Sequence, residues 1–119
     1  MTTQQQKENT KGLPDAHPVN LADLADYQEG SIVSRTLVQR NGGTLTLFAF
    51  DVGQSLSEHT APFDAVVQIV EGEAELIIGG KKVLTKKGET VLMPADIPHA
   101  VNASSRFKMM LIMIREVAA

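Results

Sequence analysis

The sequence predicts an all-β sandwich or barrel. From Gly30 onward, short apolar runs alternate with glycine-bearing turns at a spacing of about eight residues. Asn41-Gly42-Gly43 separates "SIVSRTLVQR" from "TLTLFAFDV". An Asn-Gly pair between two strand-like runs is a tight-hairpin signal, because it supplies the positive φ such turns favour. No segment after residue 30 carries the period of a long amphipathic helix.

Residues 1–18 are polar, with Gln4-Gln5-Gln6 followed by Pro14 and Pro18. They bury too little apolar surface to offset ordering entropy, so a mobile arm is expected there, followed by one domain over 19–119. His17 lies in that arm and is given no role. "NLADLADY" (20–27) places Leu21, Leu24 and Tyr27 at helical spacing, consistent with one short helical turn or an extended strap. In "AVVQIVEGEAELIIGGKKVLTKKGE", Glu71-Gly72-Glu73 reads as one turn, Gly79-Gly80 as a second and Lys87-Gly88-Glu89 as a third. "TVLMP", "HAVNA" and "RFKMMLIMIR" supply the last strands.

Two strands, "AVVQIV" (65–70) and "MMLIMI" (109–114), are apolar on both alternating sets of positions. A strand with one wet face should alternate, so both faces of these two need cover. A second sheet covers one face. A partner subunit is the natural cover for the other, which predicts a homodimer. Folding of residues 19–30 over the outside is the competing explanation, and the two are compatible.

Composition narrows the function. With 119 residues the chain suits one domain that buries roughly two-thirds of its unfolded surface. The absence of cysteine excludes disulfides, iron–sulfur clusters and thiol nucleophiles. Net charge is −3 and the basic residues are scattered, so no nucleic-acid partner is expected. "MTTQQQKENTKG" has no apolar signal core, and no apolar run nears the roughly 20 residues of a membrane span. The expected setting is cytoplasmic, without membrane contact. A phosphate-binding glycine loop, a G-x-S-x-G elbow and an HExxH helix are all missing.

The candidate site rests on His59 and His99. "GQSLSEHTAPFDAVVQIVEG" (53–72) and "GETVLMPADIPHAVN" (88–102) resemble the two signature motifs of the cupin superfamily. The first pattern is G-x5-H-x-H, three or four residues, then E-x6-G; the second is G-x5-P-x-G-x2-H-x3-N. Gly53, His59 and Gly72 match the first, and Gly88, Pro94 and His99 match the second. The resemblance spans roughly residues 30–116. It implies an antiparallel double-stranded β-helix, the RmlC-like jelly-roll barrel, with a pocket at one mouth. Cupins of this size are commonly dimers.

The departures bear on chemistry. The family usually holds a divalent metal with three histidines and a glutamate. His59 and His99 occupy two of those positions, whereas Ala61 and Ala65 stand at the other two. Asp96 replaces the second motif's inner glycine, and Asn102 arrives one residue early. Strict alternation places Ser57 and Ala61 on the same face as His59, and Val67 and Ile69 on the face of Ala65. Glu58, Asp64 and Asp96 are then the nearby carboxylates, expected as solvated rim residues. Phe107, Met109, Leu111 and Met113 share one face of the last strand and are expected to fill the core, as is Met93.

Two imidazoles are a poor transition-metal site, since zinc takes four ligands, or three plus an open position. No certain cofactor follows. A weakly bound Zn, Mn, Fe, Ni or Cu ion would need waters or a chelating substrate to complete its shell. The leading expectation is therefore a small-molecule-binding barrel, its ligand unidentified. Phe48, Phe50, Val67, Met93, Val101 and Met109 would line an apolar pocket, with His59 and His99 as its polar anchors. The alternative is a metal-dependent enzyme of dioxygenase or isomerase type with an incomplete two-histidine site, or a metal-free one using histidine as general base. An inert dimeric barrel is a third reading. Whether the chain is an enzyme stays open at this level.

Overall fold

The computed structural model describes residues 6–9 and 12–117. Part of the arm expected at 1–18 therefore lies outside the described residues. The strands, in chain order, are β1 (Gln6–Asn9), β2 (Ile32–Arg40), β3 (Gly43–Phe50), β4 (Ser55–His59), β5 (Asp64–Ile78), β6 (Lys81–Lys86), β7 (Thr90–Met93), β8 (His99–Asn102) and β9 (Phe107–Ile114). A 3-10 turn spans Leu21–Leu24, with the Asn20 side chain accepting from the Ala22 amide. Among the described residues no helix is long and apolar enough to cross a membrane.

The all-β, antiparallel jelly-roll expectation holds. One sheet runs β1-β2-β3-β9 and continues through the first half of β5 to β7; the other joins β4, β8, the second half of β5 and β6. All pairs are antiparallel except β1 with β2. β5 belongs to both sheets, which corrects the turn expected at Glu71-Gly72-Glu73. The strand continues through it. Gly72 takes φ +77, and the register against β9 shifts just before it. A glycine there bends the strand from one sheet into the next without ending it. Gly79-Gly80 and Lys87-Gly88 do turn the chain, with positive φ at all three glycines. Asn41-Gly42 closes the β2–β3 hairpin as expected, yet neither residue has a positive φ. A bulge at Leu37 in β2 adds the local twist that such a turn otherwise lacks.

Alternation sorts the side chains into two clusters. Inside the barrel, Ile32, Phe48, Phe50, Ala65, Val67, Ile69, Leu76, Val101, Phe107 and Met109 form the main core. Phe50 stacks on Phe107 with centroids 4.5 Å apart. Outside the larger sheet, Leu21, Leu24, Ala25 and Tyr27 pack over Leu37, Leu47, Ala49, Val70 and Met110.

This outer strap is pinned by polar contacts. Lys108 Nζ donates to the Ala22 carbonyl, Arg35 to the Leu24 carbonyl, and Tyr27 Oη donates to Glu71 at 2.6 Å. Burial, reinforced by Glu71, pushes the Tyr27 hydroxyl well above its usual pKa. Asp51 accepts from Gly30 N and Arg106 Nε, and the Arg106 hydrogen bond holds its carboxyl below the usual range. Residues 19–30 thus supply part of the cover that the two-sided strands require. Val66, Ile112 and Ile114 lie outside both clusters on the same outer face, and Leu92 beside them is 55% exposed.

Candidate functional site at the barrel mouth

His59 ends β4 and His99 begins β8, and the two are direct cross-strand partners. Their ring centroids are 4.3 Å apart, in an edge-to-face arrangement. Two histidines distant in sequence therefore form one pair, as their motif positions imply.

Strict alternation fails at β4. Leu56 pairs with Val101 and His59 with His99, so three steps on β4 oppose two on β8. This bulge puts Leu56, rather than Ser57, on the inner face with His59. It also turns the Ser57 carbonyl toward the ring: His59 Nδ1 lies 2.9 Å from it, and His99 Nδ1 lies 3.3 Å from the Ile97 carbonyl. A carbonyl only accepts, so each Nδ1 carries the proton. Each Nε2 is then left free of these backbone contacts.

The two rings differ in environment. His59 is exposed, whereas His99 is buried. Burial pushes the His99 pKa below its usual value; a positive charge on His59 adds to this, while the Ile97 carbonyl opposes it. The unfolded chain takes up this proton near pH 6.5 and the folded chain only at lower pH. The neutral ring's contribution to stability is therefore complete above about pH 6.5 and is lost as pH falls through the folded value. Between pH 7.5 and 5.5 the wild type should lose more melting temperature than His99→Gln. Parallel pH profiles for the two would show that His99 is not the titrating group.

The three carboxylates near the pair, Glu58, Asp64 and Asp96, are exposed. Asp64 accepts from the Ala95 amide at 2.9 Å and braces the rim. Asp96 sits at φ 66, a conformation that favours glycine, and its amide donates to the Ala61 carbonyl. Glu58 is exposed in the β4 bulge. Among the described residues, no three of His, Cys, Asp and Glu gather as a metal-holding group. Ala65 is buried on the inner face of β5, between Met93 of β7 and Met113 of β9. The residues present do not fit a resident metal, because two imidazoles leave at least one protein ligand missing.

Phe48, Phe50, Val67, Met93, Val101 and Met109 all lie in the inner cluster. Phe50 pairs with Ile32 and Phe107, and Phe107 pairs with Gly72 at the bend. It therefore forms the floor, far along β5 from Ala65. Leu56, Ile78, Val83, Val91, Leu111 and Met113 pack against this cluster and are only partly buried. Val91 was legible by stepping back two residues from Met93. Leu56 was hidden by the bulge.

Comparison with known proteins agrees with this geometry. Residues 46–115 match the model of the cupin domain family. A conserved protein of unknown function from Streptococcus pyogenes is 35% identical, with 92% of this chain and 96% of that one covered and a TM-score of 0.85. A cupin superfamily protein from Desulfitobacterium hafniense is 30% identical over 91% of this chain and 99% of that one, with a TM-score of 0.83. A cupin 2 conserved barrel domain protein from Leptotrichia buccalis reaches 44% identity and a TM-score of 0.79 over 82% of this chain. The match spans only 47% of that protein's length. No curated protein matches the chain.

Proposed function

The chain belongs to the cupin family, and from that premise we propose that it is a small-molecule-binding barrel working without a resident metal, with His59 and His99 as polar anchors. The observation that carries this reading is the imidazole pair, with ring centroids 4.3 Å apart and each Nδ1 set against a backbone carbonyl, which leaves each Nε2 free of those contacts. Partly buried aliphatic side chains beneath it supply contact area, and the Nε2 lone pairs accept hydrogen bonds from the ligand. A second reading uses the same lone pairs: a chelating substrate brings a metal ion and completes its shell, as a metal-dependent enzyme of dioxygenase or isomerase type would require.

We also propose a second copy of the chain as a partner, laid over the outer residues Val66, Leu92, Ile112 and Ile114 that the strap leaves uncovered.

Native mass spectrometry with elemental analysis, on protein purified without chelator, tests all three points. The expected result is a two-chain mass, transition metal well below one per chain, and a co-purifying small molecule that His99→Ala loses. One transition metal per chain would favour the second reading. A ligand retained equally by His99→Ala would remove the histidine from the site.

A further inference from the structure

Among the described residues, one buried side-chain polar atom is without a hydrogen-bond partner: Thr44 Oγ1. Thr44 is 6% exposed. Its neighbours define where it points. In β3 the inward set is Thr44, Thr46, Phe48 and Phe50, since Phe48 and Phe50 belong to the inner cluster. Thr44 pairs with Met113, Met113 with Ala65, and Ala65 with Met93. The hydroxyl therefore sits on the inner-face row that contains Ala65, the position where the chain carries a methyl group in place of a glutamate. Thr46, the next inward residue, is only partly buried, as are Met113 and Leu111. This part of the wall is less completely covered than the floor around Phe50 and Phe107.

Buried hydroxyls in folded proteins are nearly always paired, so one without a protein partner marks a place for a water or for the polar group of a ligand that displaces it. The walls indicate what kind. Along β5, β7 and β9 the inward positions from Ala65 and Val67 to Met93, Met109 and Met113 are apolar. Among the described residues the two buried charged side chains, Asp51 and Lys108, are tied to Gly30 and Arg106 and to Ala22 respectively. A charged ligand would lose hydration inside without gaining a counter-charge, so a neutral one is favoured.

We propose that Thr44 is a specificity-determining residue of the barrel: the ligand is a neutral molecule with an apolar body and two polar ends, one donating a hydrogen bond to the His59–His99 pair and the other meeting the Thr44 hydroxyl. This rests on the reading of the barrel as a ligand-binding site. The hydroxyl both donates and accepts, so it takes an alcohol, phenol or carbonyl at that end.

Two probes test the proposal: 2,6-dihydroxynaphthalene, with a hydroxyl at each end, and 2-naphthol, with one. Both are titrated by calorimetry, with His ring resonances followed by NMR, into wild type, Thr44→Val, Thr44→Ser and His99→Ala. The wild type should bind the diol more tightly than 2-naphthol. Thr44→Val should weaken the diol roughly tenfold and leave 2-naphthol within about twofold. Thr44→Ser, which keeps the hydroxyl, should restore most of the difference. Unliganded Thr44→Val should melt no lower than wild type, because no protein hydrogen bond is lost.

A diol affinity lost in His99→Ala but unchanged in Thr44→Val would overturn the role of Thr44 and leave the ligand-binding reading standing. A lowered melting temperature for unliganded Thr44→Val would overturn it too, by showing that the hydroxyl has a partner within the protein. If neither probe binds the wild type or moves the His99 resonances, the ligand-binding reading falls and Thr44's role falls with it.

Discussion

The double variant Ala61→His, Ala65→Glu is expected to take up about one zinc or manganese ion per chain, with affinity raised more than a hundredfold over wild type. Groups that merely orient a metal ligand are worth roughly 10–100-fold, and here two direct ligands are added. The geometry favours the change. Ala65 is buried and faces inward between Met93 and Met113, so a glutamate there must extend into the barrel. The Ala61 carbonyl already accepts from Asp96, which holds the backbone that a histidine would use. Without metal the variant should melt below wild type, because a buried carboxylate lacks a partner. Added zinc should reverse that loss, since an ion that binds only the folded chain stabilises it. Elemental analysis and thermal melts with and without zinc read both effects. Failure to bind would mean that residues 61 and 65 do not face the imidazole pair. Stoichiometric metal in the wild type would mean that other groups complete the shell.

Gly72→Ala is expected to destabilise the fold by about 3 kcal/mol or more, through left-handed strain plus collision. A Cβ at this position would run into the Arg106 carbonyl and lie 3.0 Å from Phe107 Cα, with φ at +77. Neither neighbour can move freely, because Phe107 is fully buried and stacked on Phe50. The melting temperature should fall by roughly 10 °C for a chain of this size. By contrast, a Cβ at Gly53 would meet nothing, although φ is also positive there. Gly53→Ala should therefore lose only the strain component. Thermal melts of the two variants side by side separate collision from strain, and equal losses would show that the β5 bend relaxes around the added methyl.

Much of this molecule could be read from residue order. Turn glycines, alternating apolar runs and the two motif frames were local signals, and local signals survive without coordinates. They placed the hairpins at Asn41-Gly42 and Gly79-Gly80, the strands that became β2, β3, β7, β8 and β9, and the inner faces through Val67 and Met109. The family resemblance carried by the two motif frames implied that His59 and His99 come together, with Ala61 and Ala65 where the family carries ligands.

Other features depend on which strands meet, and single-chain periodicity carries no record of that. Gly72 has the sequence context of a turn, yet β5 runs on because each half finds partners in a different sheet. The β4 bulge exists only against β8, and it alone exchanges Ser57 for Leu56 on the inner face and points a carbonyl at His59. Thr44 looks like an ordinary strand threonine until its neighbours leave its hydroxyl with no partner. The fold class was thus set by local pattern. The β4 bulge, the carbonyls set against the two imidazoles and the unpaired Thr44 hydroxyl came from strand pairing, because pairing register determines which polar groups find a partner.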